Sequence, residues 1–289
     1  MAERPRSSTQ PELDPLIGLT VSGRYRVHAL IGQGGMGKVF RAQQIPLGRA
    51  VALKVLEAAR VDQEFQRRFF QEAAILAKLQ SRHTVTIFDY GRDGDLYFIA
   101  MELISGSSLD RVIASQGPLP WPRALSIAQQ ICRSLREAHA QGVIHRDLKP
   151  ANVVITQTED GDELAKVLDF GLAKRIDRVS TEDTQADTVP GSPKYMAPEV
   201  IRQQAVDGRA DMYGLGVMLY QMLTGVVPFD RENPMDILIA HLHEQPRPPR
   251  EVNPKVEIPG QLQQIVMRCL AKTPGERFAD MATLLETLR

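Results

Sequence analysis

The stretch that decides the fold is "VIHRDLKPANVVI", Val143–Ile155. Two apolar segments bracket His145, Arg146, Asp147, Lys149 and Asn152, so five polar or charged side chains fall within eight positions. Groups of this kind are costly to bury unpaired, and the surrounding chain must supply partners. Further on, in "AKVLDFGLAKR" (165–175), Asp169 stands isolated between Leu168 and Phe170. Taken alone, Asp147 and Asp169 fit the acid/base pair of a hydrolase. Asn152 and Asp169 equally fit a hard cation, which prefers oxygen ligands.

Upstream features narrow the choice. "IGQGGMGKV", Ile31–Val39, places Gly32, Gly34 and Gly37 as G-x-G-x-x-G between two strand-like segments. A dinucleotide-binding fingerprint would open a helix instead. A glycine hairpin can lay backbone N–H groups over phosphates, because no Cβ blocks the approach. In "VALKV" (51–55) strand alternation puts Val51, Leu53 and Val55 on one face and Ala52 and Lys54 on the other. From Gln63 to Leu79 the period becomes helical, with Phe65, Phe69, Glu72, Leu76 and Leu79 on one stripe. Glu72 is the charged member of that stripe and a natural mate for Lys54, an ion pair that would hold the ammonium against a phosphate. Glycine hairpin, inward lysine and paired oxygen donors together point to phosphoryl transfer.

The rest of the chain is consistent with one large domain or two lobes in 289 residues. Charge is balanced, 35 basic against 35 acidic residues, which argues against a nucleic-acid or anionic-membrane partner by bulk charge. Cys132 and Cys269 are the only cysteines and form neither a disulfide framework nor a metal spacing, as expected of a reducing compartment. "MAERPRSSTQPELDP" has no apolar core, so no signal peptide is expected there. Residues 1–22 read as a polar, flexible tail. "RYRVHALI", "KVFRAQ" and "RAVALKVLE" read as antiparallel strands. "TVTIFDYGRDGDLYFIAMELI" reads as two more around Asp93-Gly94. After Gly106 the pattern is mainly helical, with a stripe of Leu125, Ala128, Ile131, Leu135 and Ala138 ending at Gly142. "TQTEDGDE" (156–163) reads as a solvated hairpin turn rather than a calcium site. "EQPRPPREVNP" (244–254) reads as a loop between helices. Met212–Phe229 carries no charge, but its glycines, Gln221 and Pro228 favour a buried helix ending near Gly225 over a membrane span.

The ordered set G-x-G-x-x-G, "VALK", "HRDLKPAN", "DFG" and "APE" resembles the eukaryotic-type protein kinases, with "GQGGMGKV" and "IFDYG" closest to the bacterial Ser/Thr kinases. Lys149 in "HRDLKPAN" fits the Ser/Thr class. The resemblance implies an α+β fold of two lobes over 24–288. An N-lobe of antiparallel sheet plus one helix would span 24–102, a hinge 102–106 and a mainly helical C-lobe 107–288. It implies that Gly32, Gly34 and Gly37 cover the phosphates of ATP and that Lys54, oriented by Glu72, binds the α- and β-phosphates. Asp147 would accept the acceptor hydroxyl's proton, Lys149 neutralise the γ-phosphate, and Asn152 and Asp169 bind Mg²⁺, with Mn²⁺ as a substitute. Met101 would be the gatekeeper, and Glu102 and Ile104 would bond adenine through the backbone. Ile31, Val39, Ala52, Val154 and Leu168 would form the apolar adenine slot. His145 and Phe170 would stack with Leu76, Asp211 would accept bonds from the catalytic-loop backbone, and Glu199 would pair with Arg277. His83, His139, Trp121 and the cysteines are assigned to packing or surface.

Regulation is expected at "RVSTEDTQADTVPGS" (178–192). A phosphate on Ser180, Thr181, Thr184 or Thr188 would be the counter-charge of Arg146, Lys174 and Arg68 and would order the segment. Ser192 keeps a hydroxyl where the family commonly has threonine. Protein substrates, ATP and a dimer serving autophosphorylation are the expected partners. The expected location is cytoplasmic, alone or as the cytoplasmic part of a membrane-anchored protein with a role in bacterial signal transduction. A kinase-like scaffold and a small-molecule phosphotransferase are the alternatives. The first is disfavoured by the presence of Lys54, Asp147 and Asp169, the second by "APE" and the long Asp169–Glu199 segment.

Overall fold

A computed structural model describes residues 14–34, 37–57, 63–170 and 192–289. They divide into two compact units. The first holds the described residues up to Gln63 together with Ile87–Leu103, and the second holds Glu64–Thr86 and the described residues from Ile104 on.

The first unit is a six-stranded sheet in the order β1-β2-β3-β4-β6-β5, antiparallel throughout. Its strands are β1 (Thr20–Val21), β2 (Tyr25–Gly34), β3 (Gly37–Gln44), β4 (Arg49–Glu57), β5 (Ile87–Asp93) and β6 (Leu96–Glu102). Alternation set these strands. Tyr25, Val27, Phe40, Ala42, Val51, Leu53, Val55, Phe98 and Ala100 all enter one core, while Arg26, His28, Arg41 and Gln43 between them face out. Residues 14–22 depart from the expected polar tail. Val21 is buried in that core, Leu16 and Ile17 pack against it, and Thr20–Val21 pair with β2. The apolar residues at 16, 17, 19 and 21 were outvoted by the prolines and charges before them.

The second unit opens with the helix α1 (Gln63–Leu76), which ends before the expected Leu79. The chain tightens there into i→i+3 bonds, Lys78 to Ile75 and Leu79 to Leu76. The Glu137 carboxylate then accepts the next N–H groups, from Gln80 and Ser81, at 2.7 Å each. A three-stranded sheet follows, made of β7 (Ser107–Ser108), β8 (Val153–Gln157) and β9 (Glu163–Val167). The helices α2 (Leu109–Gln116), α3 (Trp121–Ala140), α4 (Pro198–Ile201) and α5 (Arg209–Thr224) precede α6 (Pro234–His243), α7 (Pro249–Val252), α8 (Gly260–Cys269) and α9 (Met281–Thr287). The short α7 falls inside the proline-rich stretch read as a loop, started by Pro249 at the first helical position, where no N–H is needed.

Helix α5, uncharged from Met212 on, is the centre of this unit. Every residue from Ala210 to Tyr220 is buried, with α3 and α8 packed on it, and Gly225 ends it at φ +81°. Its lack of charge thus reflects burial on all sides within protein. Among the described residues no helix is long and apolar enough to cross a membrane. The inward side of α3 is broader than the expected stripe: Ala124 and Ile127 are buried, while Leu125 is only half-buried.

Candidate active site

In the first unit, several of the residues singled out by the sequence lie on one face of the sheet. Gly32 opposes Val39, Val39 opposes Lys54, and Ala52 opposes Met101. Directly opposed residues of antiparallel strands point to the same side. These residues therefore lie on the face away from Val51, Leu53 and Val55, as alternation predicts. Ala52 and Met101 are nearly covered, at 7% and 9% exposure, and Ile31, at the bulge in β2, is 51% exposed. Glu102 ends β6, half-buried, opposite Val51. In the glycine hairpin, Gly37 has φ +128° and a Cβ there would collide with the Val55 carbonyl oxygen. A Cβ on Gly34 would meet no described atom within 4 Å, and one on Gly32 only the Val39 Cβ at 3.8 Å. Packing thus demands glycine at 37, whereas at 32 and 34 bare backbone leaves the main chain open to approach.

The second unit holds the quoted stretch, which links α3 to β8. Asp211, at the start of α5, receives the His145 N–H on Oδ2 and the Arg146 N–H on Oδ1, both at 2.8 Å. His139 Nε2 donates to the same Oδ2 at 2.7 Å. Burial alone pushes the Asp211 carboxyl up, yet the hydrogen bonds from His139 and from the His145 backbone N–H hold it below the usual carboxylate range. The clamp stabilises an unusual backbone, since Arg146 has φ +62°. Asp211 thus has the place that the family resemblance implied. His139, assigned to packing or surface, is part of the clamp. The signal was present: a polar residue one turn after Leu135 on the apolar stripe, and a carboxylate directly before the uncharged run from Met212, each need a partner.

His145 is fully buried and ties this loop to the segment after β9. The Leu168 carbonyl can only accept, so Nε2, 2.8 Å away, carries the proton, and Nδ1 accepts the Asp147 N–H at 3.3 Å. The Phe170 ring packs on the imidazole at 4.9 Å between centroids. Asn152 donates Nδ2 to the Asp147 carbonyl at 2.9 Å, and its own carbonyl accepts the Leu168 N–H at 2.8 Å. Asp147, Asn152 and Asp169 are thereby gathered by backbone contacts. Asn152 keeps Oδ1 as the atom able to ligate, and Asp169, half-buried at φ +47°, adds a carboxylate one residue after Leu168. Oxygen donors of this kind fit a hard divalent cation.

Lys149 Nζ lies 2.9 Å from Asp147 Oδ2 and 2.9 Å from Ser192 Oγ. A hollow beside Asp147 is lined by Leu148, Ser192, Tyr195, Met196, Ala197 and Val200. The floor behind it is fixed by Glu199, whose carboxylate makes a two-armed bond with Arg277 at 2.7 and 2.8 Å, both side chains buried. Val154 and Leu168 are half-buried, as are Ile104 and Glu72. Glu72 belongs to the second unit and Lys54 to the first. In the acidic turn, Glu163 is paired with Arg123 at 2.7 Å while Glu159, Asp160 and Asp162 are exposed. Among the described residues, no three or more His, Cys, Asp or Glu side chains come together as a metal site; the pair Asn152 and Asp169 adds an amide oxygen that such a group does not include. Lys174, Ser180, Thr181, Thr184 and Thr188 lie outside the described residues.

A family profile described as "Protein kinase domain" matches residues 25–287. The serine/threonine-protein kinase pkn3 of Myxococcus xanthus is 40% identical over 277 residues, 93% of this chain and 50% of that protein. PrkC of Bacillus subtilis and PknB of Mycobacterium leprae, also serine/threonine-protein kinases, are each 38% identical over 91% of this chain and cover 40% and 42% of their own length. The chain thus spans half or less of the length of these relatives. Among solved structures, Rad53 1–466 in complex with AMP-PNP matches at a TM-score of 0.76 and 25% identity, over 91% of this chain and 64% of that one. On its fold and its matched length, the chain belongs to the protein kinase family and is similar to the bacterial serine/threonine kinases.

Proposed function

We propose that this chain transfers the γ-phosphoryl group of ATP to serine and threonine hydroxyls of proteins. The observation that carries this is the junction at Asp147. Its carboxylate is held by Lys149, its backbone by Asn152 and His145, and a hollow with a second hydroxyl-bearing wall, Ser192, opens beside it. The AMP-PNP in the Rad53 structure and the kinase names of the bacterial relatives support the same chemistry.

In this mechanism the acceptor hydroxyl lies against the Asp147 carboxylate. As its oxygen bonds to the γ-phosphorus, the bond from that phosphorus to the bridging oxygen of ADP breaks, and the hydroxyl proton passes to Asp147. Lys149 fixes the carboxylate and brings positive charge to the transferred group. Asn152 and Asp169 would hold Mg²⁺, for which Mn²⁺ could substitute, and the cation would neutralise phosphate charge. Gly32, Gly34 and Gly37 are assigned to the phosphates, Lys54 with Glu72 to α- and β-phosphate binding, and Met101, Glu102 and Ile104 to the adenine edge. Ile31, Val39, Ala52, Val154 and Leu168 are assigned to its apolar slot. Arg146 is assigned to a phosphate in the 180–188 segment, placed there by autophosphorylation between two copies. The catalytic domain is taken as 24–288 and as cytoplasmic. Incubation with γ-labelled ATP, Mg²⁺ and a generic basic protein should label serine and threonine, stop with EDTA, and resume with Mg²⁺ or Mn²⁺. Label that never reaches protein, or that is indifferent to EDTA, rejects the proposal.

A further inference from the structure

Ser192, Tyr195, Met196 and Ala197 line one side of the hollow beside Asp147, and Lys194 lies in the same short segment. Behind the wall, Tyr195 Oη donates to Gln221 Oε1 of α5 at 2.7 Å, and His241 of α6 reaches the Lys194 carbonyl through Nε2 at 3.1 Å. His241 is fully buried. The carbonyl can only accept, so Nε2 carries the proton, and Nδ1 is left to accept from the Tyr213 hydroxyl at 2.7 Å. The ring is fixed on its other sides as well. Phe229 packs edge-on at 5.0 Å between centroids. Lys272 donates to the His241 carbonyl at 2.9 Å and holds its ammonium 4.5 Å from the Phe229 ring centre. An apolar side chain would fill this space without the cost of desolvating an imidazole. What the imidazole adds is a single oriented N–H, aimed at the backbone of the wall.

We infer that His241 is a positioning residue for the protein acceptor. By holding the Lys194 carbonyl it sets the course of residues 194–197, the segment beside Asp147 along which the acceptor chain would run. It touches neither Asp147 nor the groups assigned to nucleotide, so its influence falls on acceptor binding and not on ATP. The inference rests on the proposed kinase activity.

The test measures KM for the basic protein, KM for ATP and kcat in wild type, His241→Leu, His241→Gln and His241→Asn. Leucine keeps apolar volume without a donor. Glutamine carries an amide N–H near the reach of Nε2, and asparagine carries one only near the reach of Nδ1. His241→Leu should raise the acceptor KM about fivefold, the loss of one buried hydrogen bond, with the KM for ATP unchanged. His241→Gln should return the acceptor KM to near wild type, and His241→Asn should not. If the leucine variant does not fold, the comparison of glutamine with asparagine decides. Equal acceptor KM in those two, or a KM for ATP that rises in parallel, overturns the inference. A wild type that labels no protein at all refutes the kinase reading instead, which keeps the two failures apart.

Discussion

Position 37 needs glycine for two separate reasons, a φ of +128° and a Val55 carbonyl oxygen where a Cβ would stand. Gly34 has neither. Gly37→Ala should therefore cost at least about 1 kcal/mol of stability, read as a lower urea midpoint. Gly34→Ala should leave the midpoint unchanged and weaken ATP binding, read by nucleotide titration. A lowered midpoint in Gly34→Ala would show that this glycine is also structural. The sequence pattern shows three glycines at a phosphate-loop spacing, but it does not reveal which of them packing requires. That depends on a carbonyl in β4, which no local rule brings near. The same limit hid His139 and His241. Each is one polar residue on a helix, and its meaning comes from Asp211 or Lys194, far away in the chain. Asp147, Lys149, Asn152 and Asp169 stand out as candidates in the sequence because four polar groups in apolar surroundings demand an explanation locally.

At the scale of elements, α4 is too short to hold itself in place, and Glu199 anchors it to the segment before α9 through Arg277. Arg277 also donates to the carbonyls of Arg209 and Ala271, so one guanidinium joins α4, the start of α5 and the end of α8. Arg277→Ala leaves the Glu199 carboxylate buried without its partner and should destabilise the fold by roughly 3–5 kcal/mol, measured by urea denaturation. A loss below about 1 kcal/mol, the range of an exposed pair, would contradict this role. Strands β2, β3 and β4 were legible because each buries alternate residues on one core. The end of α1 was not, because the Glu137 side chain takes over the N–H groups just past it. Nor was β1: Val21 joins the sheet through one pairing with Tyr25, too short a stretch for alternation to register.

For the whole molecule, the buried His83 and His241 make acid stability a further check. Burial is the main reason that His83 titrates below its usual value and that His241 is pushed down to about 4. In the unfolded chain both take up protons near the ordinary value of about 6.5. Their contribution is present above that value and is lost as pH falls toward about 4, since the unfolded state then binds more protons. The urea midpoint should drop between about pH 6.5 and pH 4, and His241→Gln should flatten the drop. A midpoint constant across that window would contradict the burial of both rings. The family itself was legible before any coordinates, because five motifs in fixed order span both units and each carries its own chemical reason. The most direct test of phosphoryl transfer at Asp147 compares wild type with Asp147→Asn, using γ-labelled ATP, Mg²⁺ and the basic protein, alongside nucleotide titration of each. Asparagine keeps the shape and removes the proton acceptor. Transfer should fall by at least about a hundredfold while ATP affinity stays unchanged. An Asp147→Asn protein that labels the acceptor at the wild-type rate would contradict the assigned mechanism.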